Sequence, residues 1–145
     1  EANLGTQFRE WPHPDWSTTS HPVKYVAGGY YLVAIDKSND AHLLSADDLA
    51  VDLSGNDTIT IRLQNHTPAT RMRFRFTTAG NPTWSDTNSK TFEVVPNDNA
   101  PRVYTVDMSD VPGWTGELKQ LRLDLTGGAE LTGTCRIDYI WIGSH

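Results

Sequence analysis

Between Asp57 and Thr78 polar and apolar residues alternate with a period of two over two successive runs, which rules out a helix there and calls for strands. Ile59, Ile61 and Leu63 share one face of the first run, and Met72, Phe74 and Phe76 share one face of the second. The intervening Asn65-His66-Thr67-Pro68-Ala69-Thr70 holds the Asn and Pro that suit a turn, so the sequence predicts a hairpin of Asp57–Gln64 with Arg71–Thr78. One face of that hairpin is apolar and built for burial. The other carries Thr58, Thr60, Arg62 and Gln64 beside Arg71, Arg73, Arg75 and Thr77. Four guanidinium groups in one small area repel one another unless anions sit among them.

The chain around this stretch reads as more strands. Val23–Ala27, Tyr30–Ile35, Leu49–Leu53, Lys90–Val95, Arg102–Met108, Glu117–Leu125 and Thr134–Ile142 are separated by segments rich in Gly, Asn, Pro, Ser and Asp. About nine short strands with no amphipathic helix indicate an all-β fold, a single antiparallel β-sandwich of the jelly-roll type. Residues 1–22, dense in Pro and polar residues but carrying Phe8, Trp11 and Trp16, read as an irregular lead-in packed on the sandwich. The sandwich spans 23–142, and the tail 143–145 receives no functional weight.

Composition narrows the function. At 145 residues and 37% hydrophobic, the chain suits one domain with one core. Its 18 Asp and Glu against 12 Lys and Arg give a net charge of −6, which argues against a general binder of nucleic acid or anionic membrane. The arginine row is therefore a local exception. A lone Cys135 allows no intramolecular disulfide, and no apolar run approaches the ~20 residues that span a bilayer. Glu1 reads as the start of a mature or excised piece, compatible with an extracellular or cell-surface location.

The second half carries a resemblance. Tyr104-Thr105-Val106-Asp107-Met108-Ser109, Trp114-Thr115-Gly116, Gln120-Leu121-Arg122-Leu123-Asp124, and Gly133 with Ile137-Asp138-Tyr139-Ile140 resemble the C-terminal half of jelly-roll carbohydrate-binding modules, the non-catalytic modules attached to bacterial polysaccharide-degrading enzymes. Gly28-Gly29-Tyr30-Tyr31-Leu32 and Ile59-Thr60-Ile61-Arg62-Leu63-Gln64-Asn65 are similar to the same group. The resemblance implies a polysaccharide partner, a covalently linked catalytic domain in the full-length protein and a monomeric state. It also implies a structural calcium at Asp138, whose further oxygen ligands Glu1, Asp36, Asp40 and backbone carbonyls are available to supply. Against that, Asp138 pairing with Arg136 or capping a turn explains the residue equally well.

Two places suit a sugar. One is the polar sheet face with Arg62, Gln64, Arg71, Arg73 and Arg75, joined by Gln120, Arg122 and Asp124 of a later strand, where planar guanidiniums bind carboxylate or sulfate bidentately. A cross-strand charge ladder of the same arginines with Asp124 or Glu93 is the plain structural alternative. The other place is the loop rim, where Trp84, followed by Trp16 and Tyr30, offers a flat ring for stacking on a pyranose. Trp114 and Trp141 are assigned to packing. No nucleophile elbow, phosphate loop or metalloprotease motif is present, His13, His21, His42 and His66 are scattered, and adjacent carboxylates such as Asp47-Asp48 point to opposite faces of a strand. The expectation is a non-catalytic module for a polysaccharide, uronic or sulfated, with a structural or adhesion domain and a small jelly-roll lyase or hydrolase as alternatives.

Overall fold

The computed structural model describes residues 2–3, 16–19, 23–27, 30–45 and 47–144, with side chains from residue 32 onward. Among the described residues twelve strands run in order: β1 Ala2–Asn3, β2 Trp16–Thr19, β3 Val23–Ala27, β4 Tyr30–Ser38, β5 His42–Ser45, β6 Val51–Asp52, β7 Thr58–His66, β8 Arg71–Thr78, β9 Ser89–Glu93, β10 Arg102–Asp107, β11 Glu117–Asp124 and β12 Leu131–Gly143. They form two antiparallel sheets. The first has the order β10-β7-β12-β4-β3 with β1 beside β12, and the second β2-β5-β11-β8-β9 with β6 beside β11. The antiparallel sandwich expected from the strand pattern is therefore present, and all nine predicted strands are found. The three additional ones are β5 and, within the lead-in expected to be irregular, β1 and β2.

The predicted hairpin is not formed. β7 belongs to the first sheet and β8 to the second, so the segment between them is an arch that crosses the sandwich. The alternation itself holds: Ile59, Ile61 and Leu63 of β7 and Met72, Phe74 and Phe76 of β8 are all fully buried, with the two sets on the inner faces of opposite sheets. Leu43 of β5, Leu121 and Leu123 of β11, and Ile137, Ile140 and Ile142 of β12 complete the core. Each such side chain, fully buried, contributes about 1.5–3 kcal/mol of transfer free energy.

The arch closes with its own hydrogen bonds. Asn65, fully buried, donates from Nδ2 to the Ala69 carbonyl at 2.9 Å and to the Val95 carbonyl at 3.1 Å, while Thr67 Oγ1 donates to Asn65 Oδ1 at 2.6 Å. Two other crossings lie alongside it. Residues 39–41 connect β4 to β5 and residues 125–130 connect β11 to β12, each passing from one sheet to the other. They are tied together by Leu125 N donating to the Ala41 carbonyl at 3.0 Å and Thr126 Oγ1 donating to the Asn39 carbonyl at 2.7 Å.

β12 is the longest of the described strands, and its register slips between Ile137 and Tyr139, where it pairs with β7. That bulge reverses the inside-outside parity of the rest of the strand. Ile137, Ile140 and Ile142 point inward, whereas Tyr139 and Trp141 stay half-buried on the outer face. Trp141, expected in the core from its alternation with Ile137, is therefore not a core residue. Trp114 is one, as expected: it is buried, meets Phe76 edge-on at 4.9 Å and donates from Nε1 to the Asn56 carbonyl at 2.8 Å.

Candidate functional site

Because Met72, Phe74 and Phe76 point into the core, the pleat of β8 turns Arg71, Arg73 and Arg75 to the outer face of the second sheet. β11 lies beside it with Arg122 opposite Arg75 and Asp124 opposite Arg73, so these two share that face. On the other flank β9 sets Glu93 opposite Arg71, Thr91 opposite Arg73 and Ser89 opposite Arg75. Arg62 and Gln64 do not join them. They lie on β7 in the opposite sheet, where Arg62 Nη1 donates to Asp138 Oδ2 at 2.8 Å and Gln64 Nε2 donates to the Asp98 carbonyl at 3.1 Å. Four arginines do gather on one face, but the fourth is Arg122.

These four line a cleft of ≈ 330 Å³, with Asp40 and Asp124 as its carboxylates and the 39–41 and 125–130 crossings as its walls. With Asp86 of the adjoining loop, which pairs with Arg75, four arginines meet three aspartates, a formal excess of one positive charge. Asp124 is the bridge: its Oδ2 accepts from Arg75 Nε at 2.8 Å and its Oδ1 from Arg122 Nε at 2.6 Å. Arg122 reaches on to Asp40 Oδ1 at 3.2 Å, and Arg75 Nη1 donates to Asp86 Oδ1 at 2.9 Å. The bond to Arg75 holds the Asp86 carboxyl below its ordinary range, and Asp124 together with Asp86 raises Arg75 above the ordinary guanidinium value.

The other two arginines keep donors in reserve. Arg73 Nη2 donates to Ser89 Oγ at 2.6 Å and to the Asp86 carbonyl at 3.0 Å, but its buried Nε has no partner among the described residues. A buried N–H without an acceptor is costly. Arg71 is exposed and lines the cleft, and its guanidinium makes no hydrogen bond or ion pair with another described residue. Positive charge is thus neutralised at the Arg75–Arg122 end and open at the Arg71–Arg73 end.

The remaining candidates fall in different places. Gln120, on β11 beside a register shift, donates from Nε2 to the Ser45 carbonyl at 2.8 Å and does not line the cleft. Trp84 is 40% exposed on the β8–β9 loop. That loop is tethered to the arginine row through Asp86, so the rim and the sheet face are parts of one assembly. The side chains of Trp16 and Tyr30 lie outside the described residues.

The carboxylates proposed for calcium are not brought together. Asp138 is bonded to Arg62 outside the first sheet, Asp40 sits over the second sheet beside Arg122 and His42, and Glu1 lies outside the described residues. Among the described residues no three His, Cys, Asp or Glu side chains form a metal-binding group. Asp138 and Asp40 thus belong to different faces of the sandwich, each with its own arginine partner.

Cys135 is fully buried, and burial pushes its thiol up to about 12, the opposite of what a nucleophile needs. Sequence reasoning missed Asp86 as a partner of Arg75, the pairing of Asp40 with Arg122, and the cleft wall of Thr126, Gly127 and Gly128. An aspartate in the loop directly after an arginine strand was the one available signal. The walls had none, since they meet only through the sheet-to-sheet crossings.

No protein-family model matches the sequence, and no curated protein does. Solved structures do match the fold. The family 11 carbohydrate-binding module of a cellulosomal cellulase of Clostridium thermocellum is 9% identical, with a TM-score of 0.67 over 94% of this chain and 92% of that one. A low-affinity xylan-binding module of family 86 from Roseburia intestinalis is 10% identical, with a TM-score of 0.57 over 87% and 86% of the two chains. A family 28 module specific for non-crystalline cellulose is 14% identical, with a TM-score of 0.56 over 100% and 96%. At such identities the likeness establishes the fold, the jelly-roll sandwich of carbohydrate-binding modules, and leaves the ligand to the chemistry of the site.

Proposed function

We propose that this domain is a non-catalytic polysaccharide-binding module, and that it holds an anionic chain, uronic or sulfated, on the outer face of the second sheet. The observation that carries the reading is the open end of the arginine row: among the described residues the exposed Arg71 guanidinium has no partner, in a cleft whose four arginines meet only three aspartates, Asp40, Asp124 and Asp86. A planar guanidinium in that position donates to a carboxylate or sulfate and to neighbouring hydroxyls. The structures that share the fold support polysaccharide as the ligand class, one being a xylan-binding module and another a complex with a β-1,3-1,4-mixed-linked tetrasaccharide.

The cleft does not support hydrolysis. Glycoside cleavage uses two carboxyl groups, one of them a proton donor, whereas Asp40 and Asp124 are both already bonded to Arg122. The module then acts by raising the local concentration of an attached enzyme at its extracellular substrate.

The test is binding of the purified domain to polygalacturonate, alginate and sulfated galactan, beside neutral xylan and mixed-linkage glucan, with reducing-end and unsaturated-product assays run in parallel. Arg71→Ala is the informative variant, since it removes no bond that the fold uses, whereas Arg73→Ala also frees the Asp86 loop. Losing one charge-assisted bond of about 1.5–3 kcal/mol weakens anionic binding roughly ten- to a hundredfold. The wild-type affinity falls as salt rises. Normal anionic binding by Arg71→Ala, together with loss of neutral binding by Trp84→Ala, would move the site to the loops. Product release above background would make the protein an enzyme.

A further inference from the structure

A second cavity, ≈ 350 Å³, lies at the end of the sandwich and shares Arg71, Thr126 and Gly127 with the arginine cleft. Each cavity alone is near the floor of the ~300–1,000 Å³ range of small-ligand sites. Joined at Arg71, they make one groove that leaves the sheet face and continues over the sandwich end.

The walls of this extension are fixed. On one side is the β7–β8 crossing, where Ala69 N donates to Thr67 Oγ1 at 3.2 Å and the Thr70 carbonyl accepts from Val94 N at 3.0 Å. On the other is the β11–β12 crossing, which meets Arg71 through Gly127. Its φ of +63° suits glycine, and a Cβ there would come 2.8 Å from the Arg71 carbonyl oxygen. The close approach that joins the two cavities therefore depends on the missing side chain.

The two parts differ in chemistry. The sheet face offers four arginines, while the extension offers Arg71 alone, with Glu130 on the same lining, Pro68, Ala69 and Leu131 as apolar surface and Thr70 as a hydroxyl. Glu130 repels a second acidic group next to the one that Arg71 holds, and the apolar wall suits the C–H face of an uncharged ring. We infer that the groove takes a single chain of mixed charge, with an acidic sugar on the arginine row and a neutral sugar beyond Arg71 against Glu130. This rests on the polysaccharide reading above and narrows it to heteropolymers that alternate acidic and neutral residues.

The experiment titrates the domain with oligosaccharides of the alternating galacturonate–rhamnose backbone and with oligogalacturonates, each as disaccharide and hexasaccharide. The alternating hexasaccharide is expected to bind about tenfold tighter than its disaccharide, the gain of one or two neutral hydrogen bonds. Ala129→Trp, on the exposed lip of the extension, removes that gain. Glu130→Gln raises affinity for the oligogalacturonate hexasaccharide and not for the alternating one. Thr70→Trp on the facing wall repeats the block if the first variant fails to fold. A length gain that survives both blocks in folded protein, or no gain in the wild type, overturns the extension. A Glu130→Gln variant that leaves oligogalacturonate binding unchanged overturns the charge rule. If disaccharides bind and Arg71→Ala weakens them, the polysaccharide reading stands whatever the extension does; if neither series binds at any length, both fall.

Discussion

Replacing Asp124 by Asn should separate stability from binding, because this carboxylate is the internal counterion of the cleft. It is 18% exposed and bridges Arg75 and Arg122, themselves 25% and 27% exposed. An amide keeps one acceptor and turns its NH2 toward the other guanidinium. One bond keeps its guanidinium donor but loses its anionic acceptor and the other is lost, a cost of about 1–2 kcal/mol at this partial exposure. Arg75 and Arg122 are register partners, about 5 Å apart at Cβ, so losing the charge between them adds repulsion of about 1–2 kcal/mol in a medium between protein and water. The variant should therefore be less stable by about 2–4 kcal/mol, a fall of roughly 6–12 °C in Tm. Thermal unfolding at low and high salt is the assay, and high salt should recover the repulsive part. Affinity for anionic polysaccharide should rise meanwhile, since the excess positive charge of the cleft increases by one and two guanidiniums are released to the ligand. A variant as stable as the parent would show that Asp124 does not bridge the pair. A folded variant that binds the anionic ligand more weakly would refute its role as counterion and make it a ligand contact.

The same geometry sets three further outcomes. Gly133→Ala places a Cβ 2.3 Å from the His66 carbonyl oxygen, so urea unfolding should show a loss of about 1–3 kcal/mol from forced backbone movement. Asp98 is held below its ordinary value by the hydrogen bond from Arg102, so its contribution is complete above the unfolded carboxylate pKa of about 3.9 and disappears as pH falls through the depressed value. Asp98→Asn should flatten the acid limb of stability below about pH 4, and an unchanged limb would show that this pair does not shape it. Cys135 should resist iodoacetamide in native buffer at about pH 8 and react in denaturant, read as a mass shift; labelling of the folded protein would contradict its burial.

The period-two pattern of 58–78 was enough to assign the inner faces, and all six apolar residues it named are buried. It could not show whether the chain returns beside itself or crosses the sandwich, because a hairpin turn and an arch both use Asn, Pro and small polar residues. The difference lies in the bonds from Asn65 to Ala69 and Val95, and the second of these comes from a distant segment. That ambiguity put Arg62 and Gln64 in the wrong row while leaving Arg71, Arg73, Arg75, Arg122 and Asp124 in the right one. Short β5 was missed because Ala41-His42-Leu43-Leu44-Ser45 has no β-branched residue, and its strand character comes from pairing with β11. Trp141 was misplaced by a single extra residue in β12, which no local pattern announces.

β12, last of the described strands in sequence, lies between β7 and β4 and is the sole link between them among the described strands of the first sheet. A chain growing from the ribosome therefore holds β3–β4 and β7–β10 as separate ribbons, with one edge of β7 and one of β4 unpaired, until residues 131–143 emerge. Closure of such long-range pairings is slow, and the wait exposes apolar edges to association. The segment that joins β11 to β12 is also a wall of the arginine cleft. A nascent or cleaved chain that stops short of Leu131 thus has neither a closed first sheet nor a complete binding groove, so the capacity to bind arises in the same step that protects the fold.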